Sequence, residues 1–565
     1  MRLPCLAPFL TIFALNFHLL ASKALLSLLQ GLELQKSPSV FFINEDDGKV
    51  FAFKNKELKS RLTVIEPTAF YVFNNQPLIL FFDLSENYNP EREKEIHKKV
   101  WSFDQSPIIF IVKANEIKIF NAFNYNKKNQ QLEEINLSEE ERNKQFSFWN
   151  LQSGNTWRWL QAECYENKNI QKKRVNQKLF ENIKAVRQGL IEASTKIDED
   201  DANILILRLI FIRYLIDRDV KLNKDFVTGN TILEKRQGFI QLIEQPKKLN
   251  DCFVWLNEKF NGVLFKNIKV QLSKETAIQL AKIFDGEIPD GLFKEVKDLY
   301  FEIFDFSIIP IELISGIYEA LLDEETRKLH SAVYTPLFLV EYILSQTIDK
   351  HFEQRTNKNI SECKVFDPSV GSGIFLVQAF RRMVDREIEL FGKVSKPRLK
   401  EIAKNNLFGI DINRQALKVT CFSIYIAMLD YQEPATITDN FKFPELIDTN
   451  LFEADFFNTN ADYNNIIQNK GLDFILGNPP WKSSKGEYHL DWLKSNNKVT
   501  GRFEIAQSFL LRSKDFMQLN TISALIVTST IFYNISSTTK SFKKEFLAKY
   551  CIKGISKNLG YEAMF

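Results

Sequence analysis

The C-terminal half of the chain sets short apolar runs between longer amphipathic stretches, the pattern of buried strands covered by helices. Val365-Phe366 runs into Asp367-Pro368 and a Gly-rich turn, and an amphipathic helix follows to about Phe391. Leu407 to Ile412, Leu451 to Asp455 and Leu472 to Gly477 read as further strand segments, each closing on an acid or a turn. Ser523 to Val527 reads as a buried strand and Lys540 to Tyr550 as a helix, with a last strand expected near Ile552 to Ser556.

The first part of the chain reads differently. Residues 38 to 125 suggest strands and hairpins at Ser39–Ile43, Val50–Phe53, Leu78–Phe82, Ile108–Val112 and Glu116–Phe120, with one helix near Glu91–Trp101. Residues 150 to 330 are mainly helical. Asp201 is placed to cap Ala202–Ile216, which is apolar nearly all round and so predicts a buried helix. Later helices are expected at Glu275–Phe284 and Glu312–Leu321. These elements predict an α/β fold: a doubly wound sheet behind a helical connector and a small α/β N-terminal module. The expected boundaries are an apolar segment at 1–35, the module at 36–150, the connector at 151–325 and the sheet domain at 326–565.

Candidate chemistry gathers at strand ends. Asn478-Pro479-Pro480-Trp481 follows an apolar strand and makes a stiff polar lip at a sheet edge. Proline fixes φ and carries no N–H, so the carbonyls of this turn need not pair within the sheet. An Asn oxygen and such a carbonyl accept hydrogen bonds from the amine of a flat base, and the indole offers a stacking face. An ordinary strand-ending turn reads the same way. In Asp367-Pro368-Ser369-Val370-Gly371-Ser372-Gly373, glycines allow close backbone approach to a ligand at a helix N-terminus. Asp411, at the end of the next strand, suits ribose hydroxyls. Asp455 closes the segment after it. Any one of these also fits a loop aspartate or a common turn; the four together, in this order and spacing, point to one site.

The order and wording of these motifs resemble the N6-adenine DNA methyltransferases that use S-adenosylmethionine, and within them the large fused enzymes of type IIG restriction–modification systems. His330-Ser331-Ala332-Val333-Tyr334-Thr335-Pro336 and the lead-in from Asp305 to Ser315 add to the resemblance, although Thr335 and Pro336 are equally a good helix start. The resemblance covers residues 200 to 565 well and the first 150 loosely. It implies a class I methyltransferase sheet. Tyr334 and Thr335 would contact the methionine part of the cofactor, and Asp367, Gly371 and Gly373 would shape its turn. Asp411 would hold the ribose and Asp455 the cofactor's adenine amine. Asn478 and the Pro479 carbonyl would bind the target amine, Pro480 completing the turn, with Trp481 stacked on the base. The family more often carries Tyr at that position; Trp keeps the π face.

The implied function is site-specific methylation of adenine N6 in double-stranded DNA, within a restriction–modification or related defence system. Such enzymes flip the base out of the duplex. Rival readings stay open: a protein glutamine methyltransferase, a non-catalytic DNA-binding or assembly subunit, and N4-cytosine methylation, which usually shows Ser where Asn478 stands.

Composition adds limits. The 6 cysteines form no CxxC pair and the 5 histidines are dispersed, so no metal site is expected. A net charge of +3 permits DNA binding without arguing for it. The 45% hydrophobic content supports sizeable cores of a cytoplasmic enzyme. Residues 3 to 21 conflict with that placement, because they resemble a signal peptide or short membrane segment. A core or amphipathic helix, or a misplaced start, is the preferred reading, and no membrane association is expected. In the resembled family the N-terminal end can hold a nuclease, which needs an acid followed by an (Asp/Glu)-x-Lys triplet. Asp83-Leu84-Ser85 lacks the lysine. Glu116-Ile117-Lys118 fits, but such triplets are common in a chain with 26% charged residues. A degenerate nuclease-like module is therefore expected. The C-terminus looks early: further sheet strands and a target-recognition domain would not fit after Ser556, so a truncated methyltransferase domain is expected, with recognition missing or on a separate partner.

Overall fold

The computed structural model describes residues 21–35, 37–44, 56–73, 76–165, 167–193, 197–260, 265, 271–290, 293, 298–310, 313, 335, 337–354, 360–439, 441–481, 483, 486–528, 530–558 and 561–564. The apolar segment to residue 20, the strand expected at 50–53 and Tyr334 lie outside them, as does the helix expected at 312–321 apart from Leu313. Chain contacts define two compact units. One comprises Met1–Glu192, Arg213–Arg218 and Glu275–Pro310; the other comprises Ala193–Ile212, Asp219–Lys274 and Ile311–Phe565.

In the first unit, β1 (Val40–Phe42), β2 (Ala69–Phe73), β3 (Gln76–Asp83), β4 (Ile108–Val112), β5 (Ile117–Asn126) and β6 (Gln131–Glu134) form one sheet in sequential order. Only β3 and β4 run parallel, and helix α1 (Pro90–Phe103) makes the crossover between them. Asn89 starts α1 by accepting the Glu91 N–H at 2.9 Å, with Pro90 in the first turn. Near its end Trp101 is fully buried, stacks on Phe304 at 5.7 Å and donates to the Lys173 carbonyl at 3.1 Å. Four of the expected strands are thus β1, β3, β4 and β5, while β2 and β6 are additional. The acid-x-Lys triplet is spent on ion pairs: Lys118 with Glu134 at 3.2 Å, Glu116 with Lys113 at 3.3 Å. Asp83 accepts the backbone N–H groups of Ser22 and Ser85. Among the described residues, no group of three or more His, Cys, Asp or Glu side chains is placed to hold a metal ion.

Helix α2 (Glu199–Asp217) is buried from Ala202 to Asp217, as its apolar circumference predicts. Its start corrects the sequence reading. Asp198, not Asp201, is the cap: its Oδ1 accepts the Asp201 N–H at 2.8 Å. Asp201 instead joins Glu199 and Asp200 in the first turn, where the positive end of the helix favours acids.

In the second unit, α3 (Leu337–Leu344) precedes a seven-stranded sheet. Its strands are β7 (Val365–Asp367), β8 (Leu407–Asp411), β9 (Leu451–Glu453), β10 (Phe474–Gly477), β11 (Ile522–Val527), β12 (Ile555–Asn558) and β13 (Tyr561–Met564). The order is β12-β13-β11-β10-β7-β8-β9. Strands β7 to β11 pair in parallel, and β13 lies antiparallel between β11 and β12. Helices α4 (Ile374–Phe391) and α5 (Arg414–Asp430) follow β7 and β8. This is the doubly wound sheet expected of a class I methyltransferase. Strand β7 is buried throughout and β10 likewise, which explains their unbroken apolar runs. Strand β12 begins at Ile555, three residues later than expected, and β13 follows it. The expectation that no further strands fit after Ser556 is therefore corrected: a polar hairpin occupies that edge, paired through β11.

Candidate functional site

Winding reverses between β7 and β10, which are neighbours in the sheet although far apart in sequence. Ligands of open α/β sheets bind at the carboxyl ends of the strands beside such a reversal. Asp367, Asp411 and Asn478 all stand at those ends. Asp367 closes β7, Asp411 closes β8 and Asn478 follows β10.

Backbone hydrogen bonds shape the Gly-rich turn. Asp367 Oδ1 accepts the Ser369 N–H at 2.9 Å, and the Val370 N–H reaches the Ile410 carbonyl at 2.9 Å. The Gly371 N–H donates to Asp411 Oδ2 at 3.0 Å, so the turn after β7 is fastened to the carboxylate that ends β8. Asp411 Oδ1 accepts the Asn413 N–H at 2.8 Å. Gly371 and Gly373 have φ of +52° and +83°, a conformation other residues adopt at a cost. Gly373 also lies so near α5 that a Cβ there would stand 2.6 Å from Thr420 Cγ2. It begins α4 without a side-chain cap hydrogen bond, at a helix N-terminus, which favours negative charge.

Asp455 belongs to the same edge. Its Oδ1 accepts the Phe457 N–H at 2.7 Å, and the preceding Ala454 N–H bonds the Asp411 carbonyl at 2.9 Å. Beside it, Arg414 pairs with Asp448 at 2.9 Å and Glu453 at 3.3 Å. Hydrogen bonding to Asp448, then to Glu453, raises the pKa of that guanidinium further.

The lip after β10 is held from two sides. Asn478 Nδ2 donates to Thr335 Oγ1 at 3.1 Å, joining two residues 143 positions apart. That bond orients the amide and leaves Oδ1 as its accepting end. Pro479 is buried, and Trp481 donates its indole N–H to the Ile526 carbonyl at 3.2 Å at the end of β11. Gly477 allows β10 to approach β7 closely: a Cβ on it would sit 2.7 Å from Asp367 Oδ1.

The structure thus gathers Thr335, Asp367, Gly371, Gly373, Asp411, Asp455 and the Asn478–Trp481 lip on one sheet edge; Tyr334 lies outside the described residues. It also adds three residues that the motifs did not single out. Thr420 Oγ1 donates to the Gly371 carbonyl at 2.9 Å, and its only sequence signal is a hydroxyl inside an apolar helical run. Ser369 Oγ is buried in the turn with no hydrogen-bond partner among the described residues, as a ligand-facing hydroxyl would be. Gly477 is the third, and a lone glycine ending a strand signals little by itself.

Comparison with known proteins agrees with this geometry. Residues 405–565 match the family described as Eco57I restriction-modification methylase. The type II restriction enzyme and methyltransferase RM.Eco57I of Escherichia coli is 23% identical over 235 residues, covering 34% of this chain and 23% of that protein. The type II methyltransferase M.BstVI of Geobacillus stearothermophilus is 28% identical over 164 residues, covering 28% of this chain and 26% of that protein. The adenine-specific methyltransferase PglX of Streptomyces coelicolor is 31% identical over 123 residues, covering 22% of this chain and 10% of that protein. The chain therefore spans about a quarter or less of the length of these relatives. Over residues 405–565 it is similar to the Eco57I restriction-modification methylases.

Proposed function

We propose that the chain is a site-specific DNA methyltransferase of a restriction–modification or related defence system, acting on the exocyclic N6 of adenine in double-stranded DNA with S-adenosylmethionine as cofactor. One observation carries the reading: at a single winding reversal, a turn-and-carboxylate pair, Gly371 with Asp411, stands on β7 and β8, and an oriented amide, Asn478, on β10. The names of the matched relatives support the substrate class.

The residues fit the cofactor. Glycines at positive φ admit close approach, Ser369 Oγ is a buried hydroxyl with no hydrogen-bond partner among the described residues, and Asp411 stands at the carboxyl end of β8 beside the turn. Asp367, Gly371 and Gly373 would shape the pocket, Asp411 would hold the ribose hydroxyls, Asp455 the adenine amine, and Thr335 with Tyr334 the methionine end. When bound, S-adenosylmethionine supplies an electrophilic methyl group.

The chain's own residues do the rest. An adenine amine inside a duplex is stacked and paired, so the base is turned out into the pocket, at a cost of about a few kcal/mol. Its nitrogen is a weak nucleophile because its lone pair is delocalised into the ring. Asn478 Oδ1 and the Pro479 carbonyl accept hydrogen bonds from its two N–H groups and draw that lone pair onto nitrogen. Trp481 stacks on the base and holds its plane, while Pro480 stiffens the lip. Positioning and charge placement, with no covalent intermediate on the enzyme, provide the acceleration.

The test is transfer of radiolabelled methyl to unmethylated genomic DNA, followed by nucleoside analysis. N6-methyladenine formed by the wild type and not by Asn478→Ala supports the reading. N4-methylcytosine, or label found only in protein, would overturn it.

A further inference from the structure

Beside the Asn478 lip stands a turn that the reaction as described does not use. Residues Gly501-Arg502-Phe503 form it, and an isolated antiparallel bridge between Ser483 and Glu504 pins it to the chain two residues past Trp481. Arg502 and Phe503 have φ of +52° and +56°. Two successive non-glycine residues in the left-handed region are rare, and a bulky aromatic there is an outlier. Such strain persists only where the surroundings over-determine it, and it collects at functional positions.

The surroundings here do over-determine it. Helices α6 (Glu487–Ser495) and α7 (Ile505–Ser513) flank the turn in the chain, and α8 (Ser537–Lys549) packs against it. The Gly501 N–H donates to Gln507 Oε1 at 2.7 Å, and Gln507 Nε2 donates to Glu504 Oε2 at 2.6 Å. Gln507 and Thr539 are both fully buried. Gly501 is packed so closely on Thr539 that a Cβ would collide with the Thr539 hydroxyl. The base of the turn is therefore held fast, and its tip is exposed. Phe503 is 39% exposed, Arg502 is exposed, and Arg502 makes no ion pair among the described residues. Lys540, exposed on the first turn of α8 next to Thr539, adds a second cation. A sequence needing only a bend would place Gly or Asn at these positions. Arg and Phe instead put one exposed cation and one partly exposed aromatic ring at the tip of a firmly held turn.

Building on the DNA-methylation reading, we propose that the Arg502–Phe503 tip is the wedge that opens the duplex at the target adenine. The Phe503 ring enters the base stack where the adenine leaves it, and Arg502 with Lys540 grips the flanking phosphates. Apolar side chains inserted between base steps are a known means of unstacking DNA, and Arg and Lys contacts to phosphate set register without reading sequence.

The experiment uses the full chain. The methylated motif is first found by sequencing DNA treated with the wild type. Two duplexes of that motif then serve as substrates, one with the target adenine paired and one with it opposite an abasic site, where no partner need be displaced. With Phe503→Ala, and with Phe503→Gly, which also relieves the backbone strain, the preference for unpaired over paired adenine should rise at least tenfold. Thermal stability of Phe503→Gly should equal or exceed that of the wild type. Arg502→Ala should weaken binding of both duplexes and flatten its salt dependence. Equal rate losses on both duplexes, or no loss on either, would overturn the wedge while leaving the methyltransferase reading intact. A wild type that methylates neither duplex nor genomic DNA overturns both.

Discussion

Asn478 Nδ2 lies 3.1 Å from Thr335 Oγ1, so the residue that follows β10 is oriented by one that precedes α3, 143 positions earlier. The hydroxyl selects the amide rotamer, and the rotamer decides whether an oxygen or an NH₂ faces the target amine. Asn478→Ala should abolish methyl transfer while leaving cofactor binding nearly intact. Thr335→Val keeps the shape and removes the acceptor; a neutral hydrogen bond of about 1 kcal/mol corresponds to about a fivefold fall in kcat. Single-turnover methyl transfer measures both. A wild-type rate in Asn478→Ala would remove that residue from the reaction.

Asp411 has two tasks, one toward the Gly371 N–H and one proposed toward the ribose. Asp411→Ala should weaken S-adenosylmethionine binding by about tenfold to a hundredfold, the range for hydrogen bonds to a charged group. Asp411→Asn should lie between. Calorimetry with cofactor alone is the measurement, and equal affinities for wild type and Asp411→Ala would refute the assignment.

Trp481 is tied to the Ile526 carbonyl by its indole N–H, which fixes the ring proposed to stack on the target base. Trp481→Phe keeps the face and should lose less activity than Trp481→Ala. The alanine variant should lose about 1–3 kcal/mol of affinity for DNA with an unpaired target adenine, the usual worth of base–aromatic stacking. Fluorescence titration separates the two; identical affinities would exclude stacking.

Gly477 faces Asp367 too closely for any side chain, since a Cβ would lie 2.7 Å from Oδ1. Gly477→Ala should destabilise the second unit by about 1–3 kcal/mol, as overpacking does, and lower cofactor affinity by moving Asp367. Denaturant unfolding with and without S-adenosylmethionine tests it, and an unchanged midpoint would show that β7 and β10 part without cost.

In the first unit, burial raises the Glu93 carboxyl, but hydrogen bonds from His97, Tyr88 and Lys113 outweigh it and bring the group from 4.5 down to about 2. A depressed carboxylate contributes stability that is fully present above the unfolded value and is lost as pH falls through the folded one. Unfolding midpoints should therefore drop between pH 4.5 and about 2. Glu93→Gln should be less stable at neutral pH and should show a smaller acid-side drop; parallel curves for the two proteins would discount the cluster.

Much of the second sheet is legible in the sequence. A strand buried on both faces must be apolar along its length, and a strand end must turn, so 365–367, 407–411, 451–453 and 474–477 appear as apolar runs closed by Asp, Pro, Gly or Asn. Helix α4 ends at Phe391 as expected, because Gly392 at φ +78° stops it. Strands β12 and β13 are less legible. Ile-Ser-Lys-Asn and Tyr-Glu-Ala-Met form no continuous apolar run in the sequence, and their pairing is supplied by each other and by β11. The cap of α2 is misread for a local reason: Asp198 and Asp201 are equally good caps in sequence, and only the hydrogen bond to the Asp201 N–H distinguishes them.

The sequence by itself determined the strand–turn–helix order, the acids at strand ends and the Asn-Pro-Pro-Trp lip, because period, proline and glycine act within a few residues. Only the tertiary structure decided which of these meet. The Gly371–Asp411 bond, the Thr335–Asn478 bond and the contact of Gly477 with Asp367 depend on sheet order and register, which join residues 40, 143 and 110 positions apart. The left-handed Arg502–Phe503 turn belongs to the same class. Its side chains predict against that backbone, and it exists because Gly501, Gln507 and Thr539 are packed around it.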